Sequence, residues 1–187
     1  MVRQSIFFVL GALAAVGLGA LHEKRSTKTD KTIYAYGMNG INGFPVYADE
    51  TGLAVIAANG TNTSSLYDVK WTIDTTGKSA WNVSLNSTAN DGSFYIVPDG
   101  DGYVPAGFTV NDTTPDGAET MGFVLYGSDI MFASGDTYLY QFWASNTSTT
   151  GLWNLTWNVD GDSSDGSVVP VMLKAKAPSS DTRRSSE

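Results

Sequence analysis

The side chains able to do chemistry are few in kind. The 187-residue chain has no cysteine and one histidine, His22, close to the start. A chain beginning after Arg25 would hold neither His nor Cys. That excludes Ser-His-Asp and Cys-His nucleophiles, histidine-bound zinc or copper, and disulfide exchange. Carboxylates remain. Asp99, Asp101, Glu119, Asp129 and Asp136 could be nominated for glycan hydrolysis, which needs two carboxyl groups roughly 5–9 Å apart with split pKa values. Their spacing selects no pair. Most adjoin Gly, Ser or Thr, where local Asx hydrogen bonding is the ordinary role of an aspartate, so a non-catalytic reading is preferred. Asp160, Asp162 and Asp165 occupy positions one, three and six of an acidic turn. A weak calcium site, with a dissociation constant of about 10⁻⁴ to 10⁻³ M, is one reading and a solvated turn the plainer one. No other cofactor is implied.

Five Trp and nine Tyr suggest stacking on sugars, but the periodicity sends most of the Trp inward. Trp71, Trp81, Trp153 and Trp157 share faces with Val, Ile and Leu, and a ring so placed buries about 150–250 Å². Tyr103, in a loop, and Trp143, beside Phe142, are the candidate ligand-binding aromatics.

The first residues, Met1 to Ser5, carry one basic side chain, and Ile6 to Ala20 are apolar or small. This is the pattern of a signal peptide, too short to span a bilayer comfortably, and predicts a secreted chain with no stable membrane insertion after cleavage. Lys24-Arg25 ends a short segment, residues 21–25, that reads equally as a dibasic processing site or as two solvated charges. Residues 26–187 then form one domain, large enough to bury about 70% of its unfolded surface, with a loose polar tail from about 178. Seven Asn-x-Ser/Thr sequons, at Asn59, Asn62, Asn82, Asn86, Asn111, Asn146 and Asn154, fit a secretory route and predict N-glycosylation. The full chain has net charge −8. Losing residues 1–25 removes three of 11 basic and one of 19 acidic side chains, leaving eight against eighteen, or −10. Such a surface repels nucleic acid and anionic lipid and keeps the protein soluble.

The elements that position these residues read as strands. Val69, Trp71 and Ile73 alternate with Lys70, Thr72 and Asp74; Trp81, Val83 and Leu85 alternate with Asn82, Ser84 and Asn86. Asn82, Asn86 and Asn154 thus fall on polar faces. Phe44 to Ala48 and Leu53 to Ala58 predict a hairpin around Asp49-Glu50-Thr51-Gly52. Residues 153–159 and 169–173 predict a second hairpin around the acidic turn, with Pro170 marking an edge or a bulge. Residues 94–97, 121–126, 130–133 and 138–144 are continuously apolar, as strands covered on both sides are. Ser26 to Lys31 reads as a disordered start. With about ten to twelve short strands and no helical period, the expectation is an all-β, antiparallel β-sandwich, jelly-roll-like, with a closed barrel as the alternative.

Tyr34-Ala35-Tyr36-Gly37, Gly43-Phe44-Pro45-Val46-Tyr47-Ala48-Asp49 and Gly52-Leu53-Ala54 resemble the beginning of a group of small, cysteine-free secreted proteins of filamentous fungi with no assigned activity. The resemblance covers about the first third of the chain after residue 25. It implies a fungal, extracellular or cell-wall setting and supplies no catalytic residues. The expected function is therefore non-catalytic association with cell-wall polysaccharide or other extracellular glycans. The alternatives are a secreted factor that binds an extracellular protein and a carboxylate-dependent glycan hydrolase.

Overall fold

The structure, a computed structural model, describes residues 27–85, 91–109, 111, 113–161 and 166–179. The expected leader, Lys24 and Arg25, the sequon at Asn86, Asp162 and Asp165, and the tail beyond Ser179 lie outside these residues. Fifteen strands follow one another without a helix among the described residues. They are β1 (Thr27–Lys31), β2 (Tyr34–Gly37), β3 (Asn42–Ala48), β4 (Ala54–Ala57), β5 (Tyr67–Asp74), β6 (Asn82–Leu85), β7 (Asp91–Tyr95) and β8 (Val104–Pro105). The remainder are β9 (Gly107–Phe108), β10 (Phe123–Tyr126), β11 (Asp129–Ser134), β12 (Thr137–Leu139), β13 (Phe142–Asn146), β14 (Leu152–Trp157) and β15 (Val168–Lys174).

Six strands close into a ring. β2 pairs with β3, β3 with β4, β4 with β14, β14 with β13, β13 with β15, and β15 returns to β2, every pair antiparallel. The expected two-sheet jelly-roll does not emerge as such, because two seven-residue strands change partners partway along. In β3, Pro45 is the last residue opposite β2, and Val46 is already opposite β4. In β15, Pro170 is the last opposite β13, and Val171 is opposite β2. A proline cannot donate to a ladder, so each sits where the ladder changes hands. Pro170, expected to mark an edge or a bulge, instead marks a corner of the ring where β15 changes partner. Gly37 makes the second corner close: a Cβ there would lie 2.7 Å from the Pro170 carbonyl oxygen and 2.8 Å from Val171 Cγ1.

Further strands grow from the ring at three places, the shortest being β8, which lies along the end of β14 at Thr156↔Pro105 and Trp157↔Val104. β5 leaves β3 and continues through β6 and β7 to β9. β11 leaves β15 at Asp129↔Lys174 and carries β10 and β12. The hairpin at Asp49–Gly52 forms as expected: Asp49 Oδ1 accepts the Thr51 and Leu53 N–H groups at 2.9 and 2.8 Å, and Gly52 takes φ +87°, open to glycine without a Cβ penalty. Three other expectations are corrected. β14 and β15 are not a hairpin, since β13 lies between them and pairs with both. The 138–144 run is two strands, β12 and β13, that pair with different neighbours. Residues 27–31, read as part of a disordered start, form β1 along β5: five polar residues suffice for an edge strand, whose stability comes from its partner.

Eight large aromatic rings fill the space enclosed by the ring and its extensions. Phe94, Phe123, Phe132, Trp157 and Phe142 form a closed circuit with centroid separations of 5.0, 5.7, 5.6, 4.9 and 6.3 Å. Trp71 and Phe108 join it through Phe94, and Trp81 joins through Phe123. These offset and edge-on contacts are the favourable geometries for aromatic quadrupoles. Without disulfides, this apolar core is what stabilises the fold. Trp71 Nε1 and Trp157 Nε1 are buried with no hydrogen-bond partner among the described residues. Both indoles stand edge-on to phenyl rings.

A candidate glycan-binding groove

β14 fixes the two ends of the ring. At its start Leu152 is opposite Ala57; at its end Trp157 leads into the turn at Asn158. There Asn158 Oδ1 accepts the Asp160 N–H at 2.9 Å, and the Asn158 N–H donates to the Gln141 carbonyl at 3.1 Å. This turn and the Pro98–Gly102 loop, itself closed by Gly100 N–H on the Val97 carbonyl at 3.3 Å, enclose a cleft of about 550 Å³. Asp99, Asp101, Asn158, Val159 and Asp160 line it. On the other side of the loop a second cleft of about 350 Å³ shares Pro98 and Asp99 and is lined by Glu119, Met121, Ala133 and Ser134. Glu119 is held there by a reciprocal pair of backbone hydrogen bonds with Ile96, at 3.2 and 2.8 Å. The two clefts adjoin at Pro98 and Asp99, which line both, and together form the candidate groove.

Four carboxylates, of Asp99, Asp101, Glu119 and Asp160, line this groove, and all are exposed. Met121 and Val159 present apolar surface to solvent, 51% and 43% exposed. Two exposed tyrosines line neither cleft but adjoin residues that do or that hold the Asn158 turn. Tyr138 is opposite Ala133, and Tyr140 precedes Gln141, whose carbonyl holds the Asn158 turn; they are 61% and 42% exposed. An exposed aromatic ring can serve as a stacking face and a carboxylate oxygen as a hydrogen-bond acceptor, the two requirements of a polyhydroxylated ligand.

The aromatics singled out from sequence stand elsewhere. Trp143 is 7% exposed, its indole N–H donating to the Asn158 carbonyl at 2.9 Å and its ring edge-on to Tyr103 at 5.4 Å. It supports the floor behind the Asn158 turn and is no surface platform; Tyr103 is half-buried against it. The reason is alternation: Phe142 and Ala144 face the core, so Trp143 faces outward, where the Tyr103 loop covers it. Tyr138 and Tyr140 were missed because they fall in an apolar run read as one covered strand. The signal available was Gly135-Asp136 before them and Gln141 after, which break the run into a short edge strand. Of the acids nominated for hydrolysis, Asp99, Asp101 and Glu119 come to the groove. Asp129 is instead paired with Lys174 at 3.2 Å, and Asp136 lies in the turn between β11 and β12. Asp160, of the expected calcium site, lines the groove; among the described residues no three acidic or histidine side chains are grouped to hold a metal ion.

Of the sequons, Asn59, Asn62, Asn82, Asn111 and Asn146 are exposed and Asn154 is half-buried. Away from the groove, burial tends to raise Asp74, but hydrogen bonds from the Thr76 backbone and hydroxyl and from Ser79 outweigh it and hold the carboxyl below its usual range. Burial, helped by the charge of Asp49, raises the Tyr95 phenol. No protein-family model matches the chain, and no curated protein matches it.

Proposed function

We propose that this is a secreted, N-glycosylated, non-catalytic protein that associates with cell-wall polysaccharide or other extracellular glycans, in the fungal setting implied by its first strands. The observation that carries this reading is the groove, lined by the exposed carboxylates of Asp99, Asp101 and Asp160, with Tyr138 and Tyr140 exposed on β12 and just after it. A sugar chain stacks its apolar ring face on a tyrosine and presents its hydroxyls to carboxylate and amide oxygens. The overall negative charge disfavours anionic polymers, leaving neutral or amino-sugar glycans as ligands. The test is retention of the purified chain on insoluble chitin, β-glucan and mannan. Retention on at least one, reversed by its soluble oligosaccharide, is expected; free passage over all three would overturn the reading. Hydrolysis of any of them, lost on Asp99→Asn or Glu119→Gln, would replace it with the hydrolase.

A further inference from the structure

We propose that the chain carries N-glycans at the end of the ring opposite the groove, at Asn146 and at Asn59 or Asn62, and that the sequon at Asn154 stays unmodified. The proposal rests on the secretory reading above. The loop from Ala58 to Leu66 and the turn from Thr147 to Gly151 are nearly ninety residues apart in sequence, but the structure ties them together. Ala58 N–H donates to the Gly151 carbonyl at 2.9 Å and the Thr61 hydroxyl reaches the same oxygen at 3.4 Å. Asn59, Asn62 and Asn146 are therefore neighbours at one end, all exposed. Asn62 Oδ1 accepts the Ser64 N–H at 3.0 Å, an Asx turn that engages the amide oxygen and leaves its nitrogen, the atom that bonds to sugar, outside that bond.

Asn154 differs in kind. It lies mid-strand in β14, opposite Ser145 on one side and Val55 on the other, and Val55 is 4% exposed. The hydroxyl that completes its sequon belongs to Thr156, which is 3% exposed and bonded to the Ser145 hydroxyl at 3.2 Å and the Trp143 carbonyl at 3.4 Å. Once β14 is in place the recognition element is inside the wall, and a sugar attached earlier would have to stand over Val55 and Ser145. None of the residues lining the groove is a sequon asparagine. The six residues of β14 place the two ends about 20 Å apart at roughly 3.3 Å per residue. Glycans so placed leave the groove end bare for approach.

The experiment uses the full chain expressed in a eukaryotic secretory host, once with its own first 25 residues and once with these replaced by a proven leader. Site occupancy is read by peptide mass spectrometry after enzymatic release in heavy-oxygen water. With the proven leader the expected result is modification of Asn146 and of at least one of Asn59 and Asn62, with none at Asn154. Intact mass should then fall by one glycan in Asn146→Gln and be unchanged in glycan content in Asn154→Gln. Occupied Asn154 in folded secreted protein, or an unmodified Asn146, would overturn the placement. Failure of export with its own first 25 residues, while the pattern holds under the proven leader, would overturn the secretory reading and not the placement.

Discussion

Replacing Phe94 by alanine should be the most damaging single truncation in the core, and its size can be worked from the aromatic circuit. Phe94 is 1% exposed and meets Trp71, Phe108, Phe123 and Phe142 with centroids 5.0, 5.7, 5.0 and 6.3 Å away. Truncating a buried Phe costs about 3–5 kcal/mol from transfer and cavity terms, and each aromatic pair adds about 0.5–1.5 kcal/mol beyond area. The four pairs share one ring, so they do not sum, and about 5 kcal/mol is the expected loss. Phe94→Leu, which keeps most of the volume, should lose only the pair terms, about 1.5 kcal/mol. The assay is urea unfolding followed by tryptophan fluorescence, which suits a chain with four of its five Trp at or below 7% exposure. With an m-value of about 2 kcal/mol/M, the midpoint should move down by about 2.5 M for alanine and about 0.7 M for leucine. A midpoint shift below about 0.5 M for Phe94→Ala, with m unchanged, would refute the claim that this circuit holds the fold together.

Three other substitutions test particular contacts. Asp74 accepts the Thr76 N–H at 3.0 Å and the Thr76 hydroxyl at 2.8 Å. Its folded pKa is depressed, so its contribution is present above the unfolded value of about 3.9 and lost as pH falls through the lower folded value. Asp74→Asn should cost about 1.5–3 kcal/mol near neutrality, with the gap closing in acid; parallel stability curves from neutral to acidic pH would contradict this. The Tyr95 phenol is raised, so stability should fall as pH rises past about 10, where the unfolded chain ionises first. Tyr95→Phe should flatten that alkaline decline, and an equal decline in both proteins would refute the assignment. Gly37→Ala forces a Cβ against the Pro170 carbonyl and should cost about 2 kcal/mol, or roughly 4–8 °C in Tm; an unchanged melting curve would show that the corner has room.

The strands that could be read from sequence are those whose pattern is local. β5 and β6 show clean alternation, and the Asp49–Gly52 turn fixes β3 against β4. Partner choice was not local. Nothing in residues 152–174 tells β14 and β15 that β13 will lie between them, because an acidic seven-residue turn closes a hairpin and spans an intervening strand equally well. The two prolines were legible as ladder breakers, but only the ring shows that both mark corners. For the groove, sequence supplied Asp99, Asp101, Glu119 and Asp160 as isolated turn acids from three regions of the chain. Their convergence depends on β14 carrying Asn158 to the same end as the Pro98–Gly102 loop, a tertiary fact. Trp143 and Tyr103 read from sequence as exposed ligand-binding aromatics, but their mutual contact buries the indole.

The measurement closest to the central claim is affinity electrophoresis of the wild-type chain and of the Tyr138→Ala/Tyr140→Ala variant in gels containing soluble β-glucan, glycol chitin or mannan. Both tyrosines are exposed, so the variant should unfold at the same urea concentration as wild type. Retardation of the wild type in at least one gel is expected, with the dissociation constant raised about tenfold for each ring lost, equivalent to about 1.4 kcal/mol per stacking contact. Retardation that is equal in the two proteins, or absent from every gel, would contradict the assignment of this groove to glycan binding.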